Sequence, residues 1–418
     1  MLEVRRMAKK RAFGEGTIYE NKKRDRWEGQ FTYLDPTTGK TKRKLITGKT
    51  QKQVSAKGKK FLQDMENGLL PDADKVTIHQ WLDCWLTDYI KPNVRIKTFE
   101  KYESCLNNYI RPSLGHVSIK KIKAPDVQRV FNDMLASGGK TKTGLSTSTV
   151  RATRRYLSMA FNKAVQVGIL ARNIVKVTDA PRLVKEEIRP LTEEQATVLL
   201  QTAKEGEYFY WGVQQRRKPT RSNEYHMAMA YMVVSLALST GMRLGEVFGL
   251  KWKDIDFERN TVNVQRALVS SNTKGMIFED PKTKGSKRRI PVTTNVKKTL
   301  ERYQKEQELF ANFLGDKFNN KESLLFTNLW GKPVDTSNFT SRYFKKMLMQ
   351  AELDREFSFH DLRHTHATLL LRQGINIKVI SERLGHSTVA MTLDTYSHLM
   401  PDMQETAVKA LEGMFEIR

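Results

Sequence analysis

The feature that most limits how this chain can fold is a connector, Asp179-Ala-Pro181-Arg-Leu-Val-Lys-Glu-Glu-Ile-Arg-Pro190. It carries two prolines and charges of both signs. A proline lacks a backbone donor and disfavours helix in the residue before it, so no regular element passes through. Thr192-Glu-Glu-Gln195 follows at once. In that capping-box pattern the hydroxyl and the amide side chain satisfy the first free N–H groups of a helix. A chain of 418 residues is too long for a single core, and the connector is where it divides.

Upstream, residues 1–70 hold 18 Lys and Arg against 8 Asp and Glu. Strand-like runs occur at Gly16–Tyr19, Arg26–Tyr33 and Thr41–Ile46, the last two separated by the turn signal Asp35-Pro-Thr-Thr-Gly39. A helix from about Thr50 to Asn67, stopped by Gly68, completes a small module of three strands and one helix. Arg24, Arg26, Lys40, Lys42 and Arg43 give it a basic face suited to DNA. Residues 76–178 read as all-helical. Trp81, Leu82, Trp85, Leu86 and Tyr89 recur at helical spacing, as do Phe99, Tyr102, Leu106 and Tyr109, and these are core positions. A helix from about Ser148 to Val167 buries Leu157, Phe161 and Val165. It also carries Arg151, Arg154 and Arg155, either as a solvated face or as a DNA-facing stripe.

Residues 192–418 mix long helices with one antiparallel β region, Thr261 to Val292. Gly206 to Tyr225 reads as a surface excursion of unassigned function. The fold class expected is therefore multidomain α+β. A small sheet module is followed by an all-helical domain and a mostly helical domain with a small β region.

The net charge of +26, from 72 Lys and Arg against 46 Asp and Glu, implies a polyanionic partner. A membrane surface is the competing polyanion. The longest apolar run, Met227 to Leu238, falls well short of the ~20 residues a span needs, so it is a buried helix. The basic N-terminus has no apolar signal segment, and two cysteines, Cys84 and Cys105, cannot form a disulfide framework. A cytoplasmic, nucleoid-associated bacterial protein is the expectation.

The helix from Met227 leads into Thr240-Gly-Met-Arg243-Leu-Gly-Glu246. Much further on come His360-Asp-Leu-Arg363, Leu384-Gly385-His386 and Tyr396. Arginine grips phosphate oxygens with a planar fork. Histidine moves protons, and tyrosine can carry a phosphoryl group covalently. Arg243 and Glu246, three apart, share a helix face, so the carboxylate can orient the guanidinium or form a plain surface pair. His360 and Arg363 share a face in the same way. A helix starting near Ser387 would aim backbone N–H groups at an anion beside His386. His360 and His364 have a spacing used by zinc enzymes, but Asp361 stands where a metalloprotease has glutamate and no cysteine is near. Gly48-Lys49-Thr50 imitates a P-loop end, yet Arg43 occupies the earlier glycine position. Neither a metal nor a nucleotide cofactor is expected.

In this order the motifs resemble the tyrosine recombinase (phage integrase) family across essentially all of 192–418. The resemblance implies that Arg243 and Arg363 clamp a scissile phosphate, with Glu246 in support. It implies that His360 and His386 assist proton transfer and phosphate binding, and that Tyr396 forms a 3′-phosphotyrosine. It also implies a lysine general acid on a β-hairpin. Pro281-Lys282-Thr-Lys284-Gly-Ser-Lys287-Arg-Arg-Ile-Pro291 fits the hairpin, and Lys284 is the choice, with Lys282 and Lys287 as rivals. The opening seventy residues are similar to the arm-binding domain of integrases from conjugative transposons and temperate phages. By that resemblance the chain integrates and excises a mobile element. Residues 76–178 with 192–418 would hold a core site, the first module would read arm sites, and four protomers would exchange strands on two duplexes. An accessory excision factor or a host DNA-bending protein is a further possible partner. The amphipathic tail Val408–Phe415 would dock on a neighbouring protomer or on its own domain. A type IB topoisomerase, an Xer-type resolvase and a non-catalytic DNA-binding regulator are the alternatives.

Overall fold

The computed structural model describes residues 16–34, 41–66, 76–139, 141–183, 188–207, 220–280, 286–397, 408 and 411. Lys40, Lys282, Lys284 and most of the expected C-terminal tail lie outside the described residues. The architecture is multidomain α+β, and the chain forms two compact units, Met1–Lys185 and Glu186–Arg418.

The first unit opens with an antiparallel sheet of β1 (Thr17–Asn21), β2 (Arg26–Leu34) and β3 (Thr41–Gly48), in the order β1-β2-β3. Helix α1 (Gln51–Glu66) covers one face. Period-2 alternation sends Phe31 and Tyr33 toward it, where Tyr33 meets Phe61 edge-on at 5.2 Å and Val54 is fully buried. The register pairs Arg43 with Thr32 and Lys42 with Tyr33. Arg43 therefore stands on the open face and Lys42 on the helix side, so the expected basic face is split. On the open face Glu28 is buried, accepting bonds from Tyr19 Oη (3.1 Å) and Arg26 Nε (2.9 Å).

Helices α2 (Ile78–Cys84), α3 (Ile96–Cys105), α4 (Arg111–Leu114), α5 (Ala124–Ser137) and α6 (Thr147–Gln166) build a bundle. Wider turns extend α2 through Ile90 and α3 through Ile110. Trp81, Leu82, Trp85 and Leu86 are buried against Leu157, Phe161 and Ile110. The Trp81 indole N–H donates to Ala160 O at 3.0 Å, so the ring's polar edge is satisfied as its apolar body is buried.

The second unit starts at α7 (Glu193–Glu205), where Thr192 and Gln195 form the capping box read from the sequence. Helix α8 (Arg221–Thr240) contains the apolar run and is its central core element. Tyr225 belongs to that core: it is fully buried and stacks on Phe310 at 4.4 Å, which corrects its assignment to a surface excursion. Short α9 (Leu244–Phe248) precedes β4 (Ile255–Asp256), β5 (Thr261–Val264), β6 (Ala267–Ser271), β7 (Gly275–Glu279) and β8 (Arg288–Pro291). β8 pairs with β5, whereas β7 pairs with β6. Strands β7 and β8 thus belong to different sheets, and the segment expected to turn between them lies mostly outside the described residues. The cause is burial of Val262, Val264 and Ile290 in one core, which draws β8 onto β5. Helices α10 (Thr294–Leu314), α11 (Thr336–Phe339), α12 (Lys345–Gln350), α13 (Asp361–Arg372), α14 (Ile377–Leu384) and α15 (Val389–Tyr396) complete the unit. Among the described residues no helix is long and apolar enough to cross a membrane.

Candidate active site

The site lies where the end of α8, the start of α9, strand β8 and helices α13 to α15 converge. Helix α8 stops at Gly241, whose φ of +66° is a left-handed cap that favours glycine. A Cβ there would meet His366 Cδ2 and Leu384 Cδ2 at 2.7 Å, so the glycine also permits a close approach of α13 and α14. Arg243 comes next as the extended cap residue of α9. Its backbone N–H donates to Glu246 Oε2 at 3.0 Å and its Nη1 to Oε1 at 2.9 Å. The carboxylate thus holds both ends of the arginine, from the cap position of α9 rather than from a shared helix face.

Glu246 is itself 5% exposed and takes a second guanidinium. Arg288 on β8 donates to it from Nη2 at 2.9 Å and Nη1 at 3.3 Å. Arg288 also donates from Nε to Arg383 O at 2.7 Å, at the end of α14. Burial pushes the Glu246 carboxyl up, but the Arg288 and then the Arg243 charge bring it below the ordinary carboxylate value. Sequence reading missed Arg288. Its only signal was a place in a basic run where Lys287 and Arg289 look the same.

Arg363 on α13 is 2% exposed. Its Nη1 donates to Gly241 O at 2.9 Å, while Nη2 is buried without an acceptor among the described residues. Burial, and then the Arg243 charge, push the guanidinium down to about 9, so it stays protonated at neutral pH. A charged, dry, unsatisfied donor beside a second arginine is costly unless an anion fills the space.

Around this pair stand the histidines. His360 caps α13; desolvation, then Arg363 and Arg243, hold it below the usual histidine value although one side of it meets solvent. His386 is held down to about 4, by burial first and the Arg363 and Arg243 charges next, and its Nδ1 lies 2.8 Å from Thr392 Oγ1. The expected helix start at Ser387 is displaced. α15 begins at Val389 because the Thr388 side chain accepts from Met391 N, and the His386 N–H is given to Ser381 O. Gly385, with φ of +69°, ends α14, and a Cβ there would press on Arg288 at 3.0–3.2 Å.

Tyr396 is fully buried, its ring packed with Ala367, Leu371, Ile380 and Leu384. Its phenol oxygen lies 2.7 Å from His364 Nδ1. Burial pushes the phenol up to about 12, against the pull of Arg363 and Arg243. His364 was considered in the sequence only for metal spacing, and its contact with Tyr396 had no sequence signal. Among the described residues no group of three or more His, Cys, Asp or Glu side chains is placed to hold a metal ion.

Arg243, Glu246, His360, Arg363, His386 and Tyr396 are thus gathered in one site. Of the lysine candidates only Lys287 is described; it makes an exposed 3.5 Å pair with Asp280. In the first unit Arg24 and Arg43 are exposed, while Arg26 is committed to Glu28. Arg151 Nη1 donates to Pro181 O at 2.7 Å, and Arg154 donates to Thr178 Oγ1 (3.0 Å), Thr178 O (2.6 Å) and Lys176 O (3.3 Å). Arg155 packs 5.2 Å from the Tyr156 ring.

Comparison with known proteins places the chain in a family. The family model described as "Phage integrase family" matches residues 189–403, and one described as "Phage integrase, N-terminal SAM-like domain" matches 77–135. A tyrosine recombinase XerC-like protein of Caldanaerobacter subterraneus is 33% identical over 391 residues, 90% of this chain and 93% of the relative. The ICEBs1 integrase of Bacillus subtilis is 25% identical, covering 91% and 95%. Among solved structures, the Tn1549 transposon integrase in complex with transposon right end DNA superposes with a TM-score of 0.62 at 24% identity, over 81% of this chain and 99% of that one. A lambda integrase dimer bound to a core site does so at 0.52 and 21%, over 94% and 97%. The chain belongs to the phage integrase family and is a tyrosine-type site-specific recombinase.

Proposed function

We propose that this recombinase integrates and excises a mobile DNA element, with Tyr396 as the nucleophile that forms a 3′-phosphotyrosine. The observation that carries the reading is the buried Arg363 Nη2, a charged donor with no acceptor among the described residues, close to Arg243 and to the tyrosine. A phosphodiester would supply the missing acceptor. Two fixed guanidiniums stabilise the extra charge of a pentavalent transition state more than the ground state, which lowers the barrier. His360 and His386 add hydrogen bonds to the phosphoryl oxygens. With Thr392 on its Nδ1, His386 has Nε2 left for that contact. A lysine of 282–287, Lys284 by the family pattern, protonates the departing 5′ oxygen. The tyrosyl ester keeps the energy of the broken bond, so strand rejoining needs no nucleotide.

In this reading DNA is the partner, as it is in the complexes of the Tn1549 and lambda integrases. The sheet module within 1–70 reads arm sites, and the helical domain 76–178 with the catalytic domain 192–418 holds the core site. Assembly is tetrameric, as a lambda integrase tetramer is on a Holliday junction. An accessory excision factor or host DNA-bending protein would bias direction.

The test is a nicked duplex carrying the joined ends of the element that encodes the chain. Loss of the short fragment past the nick prevents religation. Wild type is expected to give a covalent protein–DNA band on a denaturing gel, and Tyr396→Phe none. A band persisting in Tyr396→Phe would move the nucleophile. No band from wild type, on DNA it binds, would end the cleavage reading.

A further inference from the structure

The phenol of Tyr396 has one polar contact that the mechanism above leaves unused, the 2.7 Å approach to His364 Nδ1. The two rings lie 5.5 Å apart, centroid to centroid, tilted by 60°. We propose that His364 is the base that accepts the Tyr396 proton during strand cleavage and returns it during rejoining. The proposal rests on Tyr396 being the nucleophile.

The neighbouring histidines are otherwise placed. His366 has both ring nitrogens engaged, Nδ1 with Leu238 O at 2.7 Å and Nε2 by Arg383 Nε at 3.1 Å. His386 gives Nδ1 to Thr392. His360 stands edge-on to His364, with centroids 5.1 Å apart, at the start of α13 beside Arg363. His364, one turn further along, is the ring that meets the phenol.

The groups that act on His364 are, from its own helix, His360, Asp361 and Arg363, and from beyond it Tyr396 and His386. Burial, then His360, hold it down to about 4, so at neutral pH it is uncharged. Its Nδ1 lone pair is then free to accept the phenol's hydrogen bond. The phenol, pushed up to about 12, stays protonated at rest. A phosphate seated on Arg363 would offset the guanidinium charge that adds to the depression of His364, raising the base when its proton is due.

The step balances. As Tyr396 Oη bonds to phosphorus, its O–H bond breaks and the proton passes to His364 Nδ1. The P–O5′ bond breaks with its electron pair on the 5′ oxygen, which takes a proton from the lysine-bearing segment. Rejoining runs in reverse: the 5′ hydroxyl gives up its proton, the tyrosyl–phosphorus bond breaks, and the phenolate recovers its proton from His364.

Single-turnover cleavage of the nicked duplex, followed across pH, tests this with His364→Ala and His364→Asn. Asparagine puts a polar atom near the Nδ1 position, so it can hold the phenol but cannot take its proton. Both variants should bind the duplex as wild type does and cleave about 10²–10⁴-fold more slowly near neutral pH. Their rates should climb about tenfold per pH unit into the alkaline range while wild type levels off. Added imidazole should rescue His364→Ala and leave Tyr396→Phe inactive. Three results overturn the proposal. Cleavage by His364→Asn near the wild-type rate would make the residue a positioning group. Full activity of His364→Ala would make it dispensable, and loss of duplex binding by both variants in step with cleavage would make it structural. Absence of a covalent band from wild type would instead remove the reading of Tyr396 itself.

Discussion

Two arginine-bearing helices separate what a basic residue does for a fold from what it does for chemistry. On α6, Arg154 reads in sequence as part of either a solvated face or a DNA-facing stripe, yet its guanidinium bonds Thr178 and Lys176, tying the helix to the turn at 174–178. On α13, Arg363 reads in sequence as a phosphate-gripping residue beside His360, and it is buried with one donor unsatisfied. The first is more accessible and structurally committed; the second is hidden and available. Charge density on a helix therefore says little about function. An unpaired donor that the fold keeps dry says a great deal, because leaving it unmet carries a cost.

The sharpest way to break this comparison is Arg363→Lys. Lysine keeps the charge but loses the planar fork that can bond Gly241 O and a phosphate together. Loss of one preorganised donor costs about 2.7–4 kcal/mol, or roughly 10²–10³-fold in the rate of covalent adduct formation. Duplex binding in a gel shift should change far less. Adduct formation within about threefold of wild type would mean that the unsatisfied donor is not aimed at the reacting phosphate.

A second, smaller effect follows from the histidines of the same unit. His226, His364, His366 and His386 are each held down to about 4, with burial the largest cause in every case. A base depressed when folded stabilises the fold fully above its unfolded value, about 6.5, and loses that contribution as pH falls toward 4. His366, 5% exposed, should alone account for about 1–2 kcal/mol between pH 7 and pH 5. Thermal unfolding of the 186–418 unit in the intact chain, followed by hydrogen exchange, should show the drop. Duplex DNA should offset it, since the protonated histidines beside Arg243 and Arg363 bind an anion more strongly. An unfolding midpoint unchanged between the two pH values would contradict the burial of these rings.

Much of this was legible because the relevant signals are local. Thr192 and Gln195 cap their helix because the pattern is self-contained, and the run from Met227 to Leu238 is largely buried because it is mostly apolar. Arg243 and Glu246 meet because the glutamate, three residues on in α9, reaches back to the cap position that Arg243 occupies. What stayed hidden is long-range. Arg288 reaches Glu246 across 42 positions, and no property of the basic run distinguishes it from Arg289, which turns to Asn263 instead. His364 meets Tyr396 because α13 and α15 pack on a common apolar cluster, which a helical spacing cannot reveal. The β8–β5 pairing follows from which valines and isoleucines share a core.

The smallest effect is the one that tests α6. Arg154→Ala deletes donors to three acceptors near the surface, and leaves Thr178 O without its 2.6 Å donor. Thr178 Oγ1 keeps its own bond to Val175 O at 2.7 Å, so the turn loses an anchor and not its shape. The expected cost is about 1 kcal/mol of stability in the 1–185 unit, in line with the net worth of such bonds. Salt dependence supplies the decisive readout. A phosphate contact removed lowers the slope of log affinity against log salt by about 1, whereas a structural arginine leaves it unchanged. If Arg154→Ala preserves stability and flattens that slope, the residue is a DNA contact after all. The bonded guanidinium of Arg154 would then be a resting arrangement that DNA exchanges for phosphate.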